Sequence, residues 1–225
     1  LDVEVKVLGN HLNKWVQVSL EGEDEVIAKS FINKEFGLCP VTLDAAKELP
    51  TLKGFISRVD LTKGELRVDV GVFETKVANA VISLATLKSQ FGLQKDVNLK
   101  QVAEMFALAE GIPVIVKLKT DAGLEGLDAE FATEQVAKLK AWQQSLLDRL
   151  IILGASKDMI DDVLERTHLS RDVIDVEVMG VFVHALTCKL GTYAAGLVPR
   201  MGRYMRNSVF VVFNSQKSID FLSGT

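Results

Sequence analysis

The stretch GFISRVDLTKGELRVDVGV, residues 54–72, decides how the rest of the chain is read. Apolar and polar residues alternate on both sides of Thr62-Lys63-Gly64. A two-residue period broken by turn residues predicts two half-buried strands joined as a hairpin. Downstream, ANAVISLATL (78–87) reads as a third strand that runs into a short helical turn through KSQFG (88–92). NLKQVAEMFAL (98–108) reads as a helix capped by Asn98, and IPVIVKLK (112–119) as a further strand. Strand, strand, strand, helix, strand is the layout of a small OB-type barrel, expected over residues 51–124.

Upstream, Val3, Val5 and Val7 alternate with Asp2, Glu4 and Lys6, which argues for a strand. GNHLN (9–13) supplies a turn, KWVQVSL (14–20) a second strand, and EGEDEVIAKSFINKEFG (21–37) a helix. Acids crowd the first turn of that helix, and Gly37 stands where it should stop. Residues 1–50 are therefore expected to form a strand-strand-helix unit. Met105 is the first methionine, so a short segment before Leu1 is expected as well.

Beyond a glycine-containing linker at 121–126, residues 132–154 read as one long amphipathic helix. SKDMIDDVLERTHL (156–169) reads as a second helix with Ser156 as its N-cap. The two predict a helical hairpin over residues 125–170. The last segment, 171–225, is expected to be rich in β-structure, with strands in 172–191, 194–202 and 208–213. The fold class expected for the whole is α+β, with Trp15 and Trp142 as core anchors.

Composition removes several function classes. With 48% hydrophobic and 25% charged residues, the chain reads as a globular protein. It contains no uncharged apolar run of about 18 residues, so no membrane span is expected. Cys39 and Cys188 lack partners at metal-ligand spacing, which suits a reducing cytoplasm. No glycine-rich phosphate loop or metal cluster is visible, so the protein is read as non-catalytic, without metal or cofactor. His184 and Cys188 share one face of an expected strand, but there a buried structural cysteine is the commoner case. Asp158, Asp161 and Asp162 read as the solvated acidic start of a helix.

Charge, by contrast, is segregated. The net charge is −4, yet Val178 to Ile219 holds Lys189, Arg200, Arg203, Arg206 and Lys217 with no Asp or Glu. Arg203 has the opposite parity to Arg200 and Arg206, so the three cannot share a strand face. Gly202 disfavours a helix, and a turn following a strand is expected. Arginine presents a planar fork of donors that fits phosphate, and tyrosine rings can stack on bases. Lys189, Arg200, Arg203, Arg206, Tyr193 and Tyr204 are the expected nucleic-acid-binding residues, with Arg58 and Arg67 as secondary candidates. The expected partner is RNA. The alternatives are pairing with acids of the same chain (Glu21 to Glu25, Asp158 to Asp162) or another protein, for which this chain would be an adaptor.

VDVGV (68–72) and AVISLATL (80–87) resemble the RNA-binding OB domains of the S-one type, over roughly residues 54–119. That family runs glycine, apolar, apolar, histidine into a one-turn helix. Here Ala80, Val81, Ile82 and Ser83 fill those places, so Ser83 replaces the histidine. The resemblance implies stacking aromatics on neighbouring strands, for which Phe55 and Phe73 are the nearby residues. Gly196-Leu197-Val198 and SVFVVF (208–213) resemble a degenerate second OB-like copy, with an unrelated β-meander as the other reading. GEDEVIAKSFINKEFG (22–37), VDVGV and HALTCKLGTYAAGLVPRMG (184–202) together resemble an archaeal family, domain of unknown function 2110. That likeness spans nearly the whole chain and implies no activity.

Overall fold

The structure, a computed structural model, describes residues 2–11, 15–74, 77–94, 96–119, 127–217 and 219. The linker expected at 121–126 lies outside the described residues. Strands and helices are mixed as the α+β reading requires, around a closed five-stranded barrel.

The chain begins with an antiparallel hairpin, β1 (Glu4–His11) and β2 (Trp15–Glu21), followed by α1 (Glu25–Glu35). A short helix, α2 (Leu43–Glu48), comes next, its N-cap Thr42 accepting from the Ala45 N–H at 3.2 Å. The barrel contains β3 (Leu52–Asp60), β4 (Glu65–Val72) and β5 (Ala78–Ser83). Helices α3 (Leu84–Phe91) and α4 (Leu99–Met105) then precede β6 (Pro113–Leu118) and β7 (Leu127–Phe131). Strand order round the barrel is β3-β4-β5-β7-β6. All neighbours are antiparallel except β5 and β7, and β6 closes back on β3.

Alternation explains the barrel's interior. Leu66, Val68 and Val70 of β4, Ala80 and Ile82 of β5, and Val114 and Val116 of β6 are buried in one core. Cross-strand approach is tight at Gly54, where a Cβ would lie 2.3 Å from the Asp69 carbonyl oxygen. Only glycine fits there. Phe91, Phe106 and Phe131 join the same core, Phe91 stacking on Phe106 at 4.1 Å and meeting Phe131 edge-on at 6.2 Å. The Gln90 side chain fastens α3 to β7. Its amide donates to the Phe131 carbonyl at 2.8 Å and its oxygen accepts the Phe131 N–H at 3.0 Å.

Three expectations are corrected. First, the fifth barrel strand is β7, beyond the expected barrel boundary at 124 and inside the segment read as a helical hairpin. Leu127, Ala129 and Phe131 are buried in alternation, the pattern of a strand. Second, the long helix is cut short. Helix α5 (Thr133–Gln144) ends before Leu146, which has φ +57°, and a strand, β8 (Arg149–Leu153), follows. No helical hairpin forms. β8 lies between two other strands and is covered on both faces, so Leu150 to Leu153 are apolar on both faces and imitate a buried helix.

Third, the C-terminal segment is not a second barrel. α6 (Lys157–Arg166), β9 (Val173–Gly180), β10 (Val183–Cys188), α7 (Ala194–Met201) and β11 (Val209–Phe213) complete a βαββαβ unit with β8. The sheet order β11-β8-β10-β9, antiparallel throughout, is that of a ferredoxin-like layer. The AAGLVPRM segment is a helix because Ala194, Leu197 and Met201 fall on one face and are buried, despite Pro199 within it.

Side-chain parity divides this sheet between two cores. Leu150, Ile152, Leu186 and Cys188 pack beneath α6 and α7 with Ile160, Val163, Leu197 and Met201. Ile151, Ala185 and Phe213 point the other way and merge with the barrel core and Trp142 of α5. Arg149 is buried at that seam, its guanidinium 5.0 Å from the Trp142 ring and 5.9 Å from Phe213. Its Nη1 donates to the Trp142 and Leu147 carbonyls and the Ser145 hydroxyl. No helix among the described residues is long and apolar enough to cross a membrane.

Candidate nucleic-acid interface

The arginines lie at the end of α7 and in the turn after it. Arg200 is in the last turn of the helix, while Arg203 and Arg206 belong to the turns between α7 and β11. The expected turn after a strand is therefore a turn after a helix. Tyr204 N–H donates to the Met201 carbonyl at 2.9 Å, and Met205 is buried beneath, so the loop is anchored from inside. Arg203, Tyr204 and Arg206 are exposed around that anchor.

The six residues singled out by charge and aromaticity fall into two groups. Arg200, Arg203, Tyr204 and Arg206 cluster at the C-terminal end of α7, while Lys189 and Tyr193 precede its N-terminus. The two tyrosines stand at opposite ends of a helix about 12 Å long. The α6–β9 turn links the groups. Arg200 Nη2 donates to the Thr167 carbonyl at 2.6 Å, and its Nη1 lies 3.9 Å from Asp172. Lys189 Nζ donates to the Arg171 carbonyl at 3.1 Å, and the Lys189 N–H to the Asp172 carbonyl at 2.8 Å.

Arg200 and Lys189 are thus engaged within the chain, while Arg203 and Arg206 have no ion pair or hydrogen-bonding side-chain partner among the described residues. The partners of Arg200 and Lys189 are backbone carbonyls and, for Arg200, Asp172; among the described residues no ion pair joins the four cations to the acids at 21–25 or 158–162. Two of those on α6 are occupied locally, Asp161 by Lys157 and Asp162 by Arg166. Arg171, exposed beside this group, escapes the sequence reading. It stands just outside the acid-free window, so counting charge along the chain passes over it.

The aromatic expectations separate in the same way. Tyr193 is 73% and Tyr204 51% exposed, and Phe182 is exposed too. Phe210 instead packs against the core under α7. On the barrel, Phe55 sits 5.6 Å from Trp15 of β2, which takes the place a stacked base would need. Arg58 stands opposite Arg67 across β3 and β4, and each lies near an acid, Asp60 at 3.9 Å and Glu65 at 3.4 Å.

His184 and Cys188 do share a face, but it is the one sealed by α6 and α7, and both are buried. Burial, reinforced by the Asp148 charge, pushes the Cys188 thiol up to about 11. The side chain is held as a thiol and not as a nucleophilic thiolate. Burial also pushes the His184 imidazole below its usual value, against a hydrogen bond with the Ala155 backbone, and its Nδ1 has no partner among the described residues. Among the described residues no three His, Cys, Asp or Glu side chains gather as metal ligands would.

Fold and surface together define a two-part protein: an OB-like barrel fused back-to-face with a ferredoxin-like βαββαβ layer that carries a basic, tyrosine-bearing edge. Residues 46–143 match the DUF2110 central domain and residues 147–213 the DUF2110 C-terminal domain, and the chain belongs to that family. The second match coincides with the βαββαβ unit from β8 to β11. No curated protein matches the chain.

Proposed function

We propose that this protein is a non-catalytic RNA-binding protein that holds single-stranded or structured RNA along the α7 edge, in translation or RNA processing. The observation that carries the reading is the loop 203–206, where two exposed arginines without ion pairs among the described residues flank an exposed tyrosine. Arg203 and Arg206 grip phosphates, and Tyr204 and Tyr193 offer stacking faces. Lys189 and Arg200 shape the α6–β9 turn and add positive potential beside it. The route familiar from four-stranded RNA-binding sheets, bases laid on the open sheet face, is closed in this fold, because the barrel and α5 occupy that face. The proposal therefore puts RNA on the helical side. The cytoplasmic, archaeal setting and the S-one-type kinship of the barrel belong to the same proposal, and the two free cysteines are consistent with a reducing compartment.

The test is fluorescence anisotropy with labelled single-stranded RNA, structured RNA and duplex DNA between 50 and 200 mM salt. Three to five neutralised phosphates give a fall in single-strand affinity of about 20- to 130-fold over that range. Replacing Arg203 and Arg206 together by alanine shrinks the fall by about sevenfold. No RNA binding by the intact chain at 50 mM salt overturns the reading and turns attention to a protein partner.

A further inference from the structure

Strand β1 is exposed from Glu4 to Gly9 and has one paired edge. Its neighbour is β2, and no other strand of the described residues reaches it. An isolated two-stranded hairpin is marginal in water, and an open apolar edge is a template for another strand. Val5 is 55% and Val7 66% exposed, and both lie on one face with Val18 and Leu20 of β2, their cross-strand neighbours.

Residues 3–7 read Val-Glu-Val-Lys-Val, a sequence complementary to itself when run antiparallel. With Val5 opposite Val5 of a second copy, Glu4 faces the second copy's Lys6 and Lys6 faces its Glu4. Val3 then meets the second copy's Val7. Sliding the register by two residues sets Glu4 against Glu4 in one direction and Lys6 against Lys6 in the other. Sliding it by one turns valines against charged residues and puts the two apolar faces on opposite sides. One register satisfies both charge and face.

Two features of the chain itself agree. Within the hairpin Glu4 lies opposite Glu21, and neither Glu4 nor Lys6 has an ion pair among the described residues. A lysine from a second copy relieves that like-charge pairing. The ladder's length is also set, because a β-bulge between Val7 and Gly9 breaks the straight strand just past the complementary segment.

We propose that a second copy of this chain docks on the free edge of β1, giving a continuous four-stranded sheet β2-β1-β1-β2 about a two-fold axis at Val5. The interface is isologous, so the Glu4–Lys6 and Val3–Val7 contacts each occur twice, with the Val5 pair on the axis. The sheet joins two hairpins, each tied to its own barrel at Trp15, into one with a shared valine face. This inference does not depend on RNA binding.

Sedimentation velocity of the full chain over a concentration series tests it, with circular dichroism to check that each variant folds. The wild type is expected to be a dimer at micromolar concentration. Lys6→Glu, which sets a second carboxylate against Glu4 at both symmetry-related positions, raises the dimer dissociation constant about tenfold or more. The double variant Glu4→Lys with Lys6→Glu regains dimerisation, because the swapped charges are again complementary. Val5→Cys gives a disulfide-linked dimer under mild oxidation, since directly opposed strand residues lie within about 4.5–5.5 Å. Val16→Cys, exposed on β2 away from the axis, does not. A wild type that stays monomeric to about 100 µM, far above the dissociation constants of stable interfaces, overturns the proposal. So does a dimer indifferent to Lys6→Glu, or equal cross-linking through position 16.

Discussion

Arg200 reaches the last turn of a neighbouring helix: its Nη2 donates to the carbonyl oxygen of Thr167 at 2.6 Å, capping the C-terminal end of α6. The guanidinium therefore supports the layer as well as adding charge. Removing it leaves a helix-end carbonyl without its cationic donor and loosens the longer contact with Asp172 at 3.9 Å. Because the group is about half exposed, Arg200→Ala is expected to cost about 0.5–1.5 kcal/mol. Arg203→Ala and Arg206→Ala, which break no such contact among the described residues, stay within about 0.5 kcal/mol of the wild type. Urea denaturation separates the three. Equal losses would mean that the free arginines are structural, which removes them from the RNA proposal.

A buried carboxylate organises the other end of the same helix. Asp148 Oδ2 accepts the Ala194 N–H at 3.2 Å, and Oδ1 accepts both the N–H and the hydroxyl of Ser215 at 3.0 Å. One side chain thus fixes the start of α7 and the chain just beyond β11. Asp148→Ala strands three donors in a dry site and is expected to cost about 3 kcal/mol, whereas Asp148→Asn keeps one acceptor and costs about half of that. Urea midpoints check the order, which a surface role for Asp148 would erase.

His184 makes stability depend on pH. Burial depresses its folded-state pKa, so the folded protein keeps it neutral where the unfolded chain has begun to take up a proton. Unfolding then absorbs a proton, and the contribution is intact above the unfolded value of about 6.5. As pH falls through that value stability declines, by up to about 1.4 kcal/mol per unit, until the lower folded pKa is reached. His184→Gln removes this term. Comparing the variant with the wild type at pH 7.5 and pH 5.5 isolates it from the carboxylates, and identical pH slopes would show that the imidazole titrates alike in both states.

What could be read from the sequence follows the range of the interactions. Val68 and Val70 alternate with Asp69, and Asn98 caps its own helix by accepting the Gln101 N–H at 3.0 Å; both are local, and both were legible. β8 was not, because Leu150 to Leu153 owe their strand to Leu186 and Val212 on either side, far along the chain. α7 carries Gly196 and Pro199, which argue against a helix, and tertiary burial of Leu197 and Met201 overrides them. At the candidate site, the gathering of arginines and tyrosines was visible as composition. That Arg200 and Lys189 are committed to the α6–β9 turn was not, since the Thr167 and Arg171 carbonyls leave no mark on local pattern.

Trp15 is the tie between the N-terminal hairpin and the barrel. Its Nε1 donates to Asp69 Oδ1 at 3.0 Å, an oxygen that also accepts the Gly71 N–H at 2.9 Å, while the ring lies against Phe55. Asp69 is buried on β4 and its Oδ2 has no partner among the described residues, so losing the indole leaves a poorly satisfied carboxylate. Trp15→Phe is expected to weaken docking of the hairpin and α1 by about 2 kcal/mol, the cost of a hydrogen bond to a charged group. Amide exchange in β2 then quickens about 30-fold, while β4 and β5, held by the barrel core, keep their protection. Undocking also frees Phe55 on the barrel surface. If β4 and β5 lose protection to the same degree, the hairpin is part of the barrel's cooperative unit and the indole is a core residue rather than a tie.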